Sequence, residues 1–123
     1  MDVVVNIKDL NKEEFDVLIL NIFYYLGYSI DISNSTNFEY YLEKEELQFI
    51  LKITFKNNGE LNTLEDILEF KNDVFNTKSW KGYFITNTDF EKLVYEQSEN
   101  SGSHVRLFNQ NEVERLALKI TMN

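Results

Sequence analysis

The chain has no cysteine and no proline, and only four glycines, one histidine and one tryptophan in 123 residues. Without cysteine there is no disulfide framework, no thiolate zinc site and no cysteine nucleophile. The lone His104 excludes a multi-histidine metal site, and it is expected near the start of the last strand in a structural or exposed position rather than in a triad. No apolar run approaches the ~20 residues of a membrane-spanning helix. The opening "MDVVVNIKDLNKEEF" shows no basic stretch ahead of an apolar core, so a cytoplasmic protein is expected. The missing proline accompanies abundant Asn, Lys, Glu and Ile, a bias of composition rather than a functional signal. Gly59 and Gly102 fall in loops and make no phosphate-cradling motif with the other glycines.

Positive charge is scarce too. Twelve Lys and Arg stand against twenty-one Asp and Glu, for a formal charge of −9. Nucleic-acid binders usually gather a basic surface that releases counterions from phosphate. Any DNA affinity is therefore expected to be weak, salt-sensitive and dependent on a local cluster of cations. The acidic runs "NKEE" and "EKEE" read as solvated faces.

Apolar content is plentiful: 43% of the chain is hydrophobic and 15% aromatic, with ten Phe and seven Tyr. That suffices for one domain over 1–123 with its own core; residues 1–9, with "DVVVNI", are expected as an edge strand or arm. Asn11 followed by Glu14 forms a capping box, and the helix it opens runs to Gly27 with Phe15, Leu18, Ile22 and Leu26 on one stripe. "YSIDIS" alternates as a strand, "NSTN" turns, "FEYYL" is a second strand, and "EKEE" closes a hairpin into "LQFILKITFK". Asn62 with Glu65 is expected to cap a second helix ending near Thr77. "KGYFITN" is a buried strand with Trp80 as an anchor before it. Thr88 or Asp89 opens a third helix, with Thr86 and Asp89 serving turn and cap roles; "SHVRLFN" is the last strand and "QNEVERLALKI" the closing helix. The fold class is α/β, a three-layer mixed sheet in the order α-β-β-β-α-β-α-β-α, with an antiparallel hairpin part and two later parallel strands.

That order and four of its segments resemble the Mrr-like branch of the restriction-endonuclease fold. The segments are "LNKEEFDVLILNIFYYLGYSIDI", "LQFILKITFKNNGELNTLEDILEF", "KGYFITNTDFEKLVYEQ" and "HVRLFNQNEVERLAL". The resemblance implies metal-dependent hydrolysis of DNA with Mg²⁺ or Mn²⁺, using an acid on one hairpin strand, a Gln/Glu-x-Lys on the next and often an acid of the first helix. Carboxylates and a cation offset charge on an in-line phosphoryl transition state, and a lysine orients or activates water. On this chain the resemblance places the catalytic pair at Glu39 and Lys52. It places metal ligands at Glu39, Asp16 and position 50, where Ile50 offers only a backbone carbonyl. Pairing Leu42 with Leu47 across "EKEE" puts Glu39 opposite Ile50 and diagonal to Lys52, on one face.

Bland alternatives stand beside these. Glu39 and Lys52 read equally as a cross-strand ion pair, and Asp16 as an acid favoured by the positive end of its helix. Three functions are open: a small Mrr-like endonuclease with a weakened site, an inactive nuclease-fold module working through a protein partner, or an unrelated small α/β binding domain. Clustering of Lys52, Lys56, Lys71, Lys78 and Lys81 near the carboxylate favours DNA. A contiguous patch from Tyr24, Tyr25, Tyr40 and Tyr41 favours a protein partner. Selecting a DNA target is expected to need a partner domain or a homodimer, and no membrane association is expected.

Overall fold

The computed structural model describes the backbone of residues 6–36, 39–100 and 104–121, and the side chains of these except 33–36, 98–100 and 121. After a 3-10 turn at Ile7–Asp9 come α1 (Lys12–Tyr25), β1 (Ser29–Thr36), β2 (Glu39–Lys44) and β3 (Leu47–Thr54). They are followed by α2 (Leu64–Asn76), β4 (Lys81–Thr86), α3 (Lys92–Asn100), β5 (Val105–Phe108) and α4 (Gln110–Thr121). The sheet order is β1-β2-β3-β4-β5, with β1, β2 and β3 antiparallel and β4 and β5 added in parallel. The α/β three-layer reading and its element order therefore hold.

Alternation along the strands builds two cores. Phe49, Leu51, Ile53, Tyr83 and Ile85 face α1 and α4, whose Phe15, Ile19, Val113 and Ala117 are buried against them. Ile50 and Phe84 face the other way, against Ile67, Phe70 and Val74 of α2 and Val94 of α3. Two crossovers stepping the same way along a sheet, with the one hand such connections take, put both helices on one face. α2 and α3 share that face. Gly82 on β4 lets α2 sit close, because a Cβ there would lie 2.7 Å from Phe70 Cε2 and closer still to Val74.

Local chemistry explains where boundaries fall. The Asn11–Glu14 capping box is formed in both directions, and Gly27 leaves α1 at φ +99°. The second cap sits one residue later than expected: Thr63 and Asp66 form the box. Asn62 is instead fully buried, donating to Thr86 Oγ1 at 2.7 Å and to the Asp89 carbonyl at 3.0 Å while accepting from Thr54 Oγ1 at 2.9 Å. The bridge between Asn62 and Phe90 holds residues 89–90 extended, so α3 opens at Lys92 rather than at Thr88 or Asp89. β1 runs on through residues expected to turn, as far as Thr36, which pairs with Glu39. Residues 7–9 are helical rather than an edge strand; residues 1–5, and Asn37 and Phe38, lie outside the described part. Among the described residues no helix is long and apolar enough to cross a membrane.

Candidate active site

The hairpin turn decides which side chains meet. Glu45 and Glu46 have φ of 54° and 68°, a two-residue turn with both centres left-handed, which matches the twist of antiparallel strands. β2 thus continues two residues further than the four-residue "EKEE" turn allowed, and Lys44 pairs with Leu47. The expected register is corrected accordingly: Leu42 pairs with Phe49, Tyr41 with Ile50, and Glu39 directly with Lys52. Directly opposed residues point to the same face. Glu39 and Lys52 therefore share the α2 side of the sheet, in the row that holds Ile50.

α2 brings a further acid to this pair. Its buried stripe of Ile67, Phe70 and Val74 presses on the sheet, leaving Glu69, Asp73 and Asn76 along a flank at helical spacing. The carboxyl groups of Glu39 and Asp73 are joined by a hydrogen bond. A small cavity of about 170 Å³ lies between Glu39, Tyr41 and Ile50 on the strands and Asp73 and Asn76 on the helix. Burial raises the Glu39 pKa, and the hydrogen bond and charge of Asp73 raise it further. Lys52 pulls it down, Glu69 adds to the rise, and the group is pushed up to about 7 from 4.5. A carboxyl that titrates near neutrality beside a second acid and an ammonium group is the kind of perturbed cluster found at functional sites. Sequence reasoning missed Asp73. The available signal was the i, i+4 pair Glu69–Asp73 beside an apolar stripe.

The other sequence-derived ligands are not brought to this cluster. Asp16 rides on α1 over the opposite face, where its charge acts on Tyr40, whose partner Leu51 belongs to the α1-facing core. Burial raises the Asp16 pKa, with Lys12 lowering and Glu13 raising it. Ile50 is flanked by Tyr41 on one side and Gly82 on the other, so its carbonyl lies in the plane of the sheet and does not face the cleft. Among the described residues no group of three or more His, Asp or Glu side chains is arranged around a metal position.

Thr86 and Asp89 have structural roles. Thr86 is buried on Asn62. Asp89 accepts from Tyr95 Oη, the Phe90 N–H and Asn109 Nδ2. Burial alone would raise the Asp89 pKa, but these three donors hold it below the usual carboxylate value.

The restriction endonuclease model Mrr_cat matches residues 7–117. The chain belongs to the Mrr restriction endonuclease family. No curated protein matches this Mrr-family chain by sequence. Among solved structures it is similar to the DNA modification-dependent restriction endonuclease AspBHI, with TM-score 0.74 and 11% identity over 94% of this chain and 34% of that one. It is similar to MspJI restriction endonuclease in complex with a 27-mer oligonucleotide, with TM-score 0.63 and 11% identity over 92% of this chain and 29% of that one. The protein of unknown function AF1548 shares the fold with TM-score 0.64 and 13% identity over 88% of this chain and 65% of that one. The Mrr-family chain thus spans about a third of the two named enzymes. At these identities the likeness establishes a shared restriction-endonuclease fold.

Proposed function

We propose that the cleft between the β2–β3 hairpin and α2 is a cation-assisted site for hydrolysing DNA phosphodiester bonds, carried by Glu39, Asp73 and Lys52. The observation that carries this reading is the direct opposition of Glu39 and Lys52 with the Asp73 carboxyl hydrogen-bonded to Glu39. DNA as the substrate draws on family membership and on the oligonucleotide in the MspJI complex.

The residues fit a hard divalent cation held loosely. Two carboxyl groups crowded together supply only oxygen donors, and Mg²⁺ is typically held by one or two carboxylates with water and substrate phosphate completing its shell. Glu39 and Asp73 would hold Mg²⁺ or Mn²⁺, which when bound offsets charge on the phosphoryl group. Position 50 contributes no oxygen, so the site is weaker than one with a side-chain donor there. Lys52, directly opposite Glu39 on the same face and acting on it through its charge, orients water and meets developing negative charge. Asp16, on the far face, takes no part.

One observation favours a second reading, a nuclease-fold module without catalysis that acts through a protein partner: the buried Ile50 where the family carries Gln or Glu. The tyrosines do not add to it. Tyr40 and Tyr41 point to opposite faces, so they form no contiguous patch with the exposed Tyr24 and Tyr25.

Nicking of supercoiled plasmid at low salt with Mn²⁺ tests the reading. Removing one electrostatic stabiliser typically lowers turnover about 10²–10³-fold, the loss expected for Lys52→Met. Absence of nicking by the wild type, or nicking by Lys52→Met and Glu39→Gln both undiminished from wild type, refutes catalysis.

A further inference from the structure

A large concavity lies beside the carboxylate cleft, not in it. It has a volume of about 900 Å³ and is floored by Leu47, Val74, Phe75 and Trp80, with His104 and Val105 at its far wall. Two rings stand open to solvent in it: Phe75 is 83% exposed and Trp80 50%.

The groove is built rather than incidental. The Trp80 N–H donates to the Gln48 carbonyl at 2.8 Å, and its ring meets Phe49 edge-on at 5.7 Å. Gln48 Nε2 donates to the Thr77 carbonyl at 3.2 Å and to Ser79 Oγ at 3.0 Å, fixing the turn in which Lys78 takes a φ of 56°. Lys71 and Lys78 line the groove, with Glu46 as its acid, and Lys81 Nζ lies 4.6 Å from the centre of the Trp80 ring. In a chain of net charge −9, three lysines and one glutamate border these two exposed rings.

We propose that this groove seats unpaired nucleotides of a single nucleic-acid strand, with bases against Trp80 and Phe75 and phosphates against Lys71, Lys78 and Lys81. The inference rests on the DNA reading above and names the form of DNA that this face takes. Single-strand sites combine cations that track the backbone with aromatic platforms for the bases, and both are present here. A duplex keeps its base faces inside its own stack and has no use for open rings. An acidic peptide would also satisfy the lysines, and polyglutamate in the titration below separates it from a nucleic-acid strand. Gln48 and Lys52 lie on the same face of β3 four residues apart, about 13 Å at the strand rise. A strand leaving the groove along β3 therefore reaches the Glu39–Lys52 cleft within a few nucleotides.

Trp80 is the single tryptophan, so its fluorescence reports the groove alone. The measurement is titration of the whole chain in EDTA with oligothymidylate, with a matched duplex and with polyglutamate. Oligothymidylate is expected to quench saturably at low salt. Log affinity should fall with log salt at a slope of about −2, near −0.7 for each of three phosphates. Phe75→Ala, at a solvent-facing ring, should weaken binding at least about fivefold, the lower end of a stacking contribution. Lys71→Gln with Lys78→Gln should weaken it further and flatten the salt slope. No quenching at the lowest salt, equal quenching by duplex, or quenching indifferent to all three substitutions overturns the proposal. Stronger quenching by polyglutamate overturns it in favour of an acidic protein partner. Quenching that persists in Glu39→Gln while plasmid nicking is absent in every variant sustains the groove and removes the hydrolytic reading; nicking without quenching does the opposite.

Discussion

The carboxyl of Glu39, on the second strand, and the carboxyl of Asp73, on the helix that crosses above it, are joined by a hydrogen bond, with Lys52 directly across the ladder from Glu39. Two acids from elements more than thirty residues apart meet because the hairpin register and the seating of α2 on the sheet converge there. The pH behaviour of the site follows from that meeting.

Stability should carry the signature of Glu39. Its carboxyl titrates near 4.5 when unfolded and at about 7 when folded. The folded state therefore holds this proton more tightly. The stabilisation is full below about 4.5 and is lost as pH rises through about 7. Asp73→Asn removes the like charge and should flatten this loss. Urea midpoints of wild type and Asp73→Asn, measured from pH 4 to 8, should separate progressively in favour of the variant. Parallel curves contradict the assignment.

Position 50 is where the site can be strengthened. Ile50 lines the cleft and is 2% exposed. Ile50→Gln puts a side-chain oxygen beside Glu39 and should tighten Mn²⁺ on the order of 10-fold, the scale of changes around metal ligands. Burying the amide should cost about 1–3 kcal/mol. A variant that is less stable yet no better at binding Mn²⁺ places the cation elsewhere.

Gly82 controls the distance between α2 and the sheet. A Cβ there overlaps Val74 and Phe70, so Gly82→Ala should destabilise by about 1–3 kcal/mol, typical of overpacking. It also lifts Asp73 from Glu39. Thermal unfolding should show the loss, and the pH dependence of stability should weaken with it. Unchanged stability would mean α2 is not held against β4 as described.

Most of the fold was legible because the signals were local and repeated: two-residue alternation in β3, the Asn11–Glu14 box, the Gly27 stop. The misreadings came from competition with tertiary contacts. Asn62 has the side chain of a helix cap, but burial against Thr86 and Thr54 claimed its hydrogen bonds, so Thr63 took the cap. Glu45 and Glu46 lack the usual residues of a two-residue turn, so nothing in the sequence marked the tighter hairpin, and the site pair came out diagonal instead of opposed. Asp73 was signalled only as one half of the i, i+4 pair Glu69–Asp73 beside an apolar stripe; that it meets Glu39 depends on how α2 lies across the sheet, which spacing alone does not give. Asp16 matched a motif position, yet α1 lies on the other face.

Calorimetric titration of Mn²⁺ into the protein at pH 6.5, repeated in two buffers of different ionisation enthalpy, bears most directly on the shared acid site. Glu39 is partly protonated at that pH, so binding should release a proton and the observed heat should differ between buffers. Glu39→Gln and Asp73→Asn should each abolish the saturable heat, and Asp16→Asn should leave it unchanged. No saturable heat in the wild type, or binding retained in both cleft variants, would contradict the account.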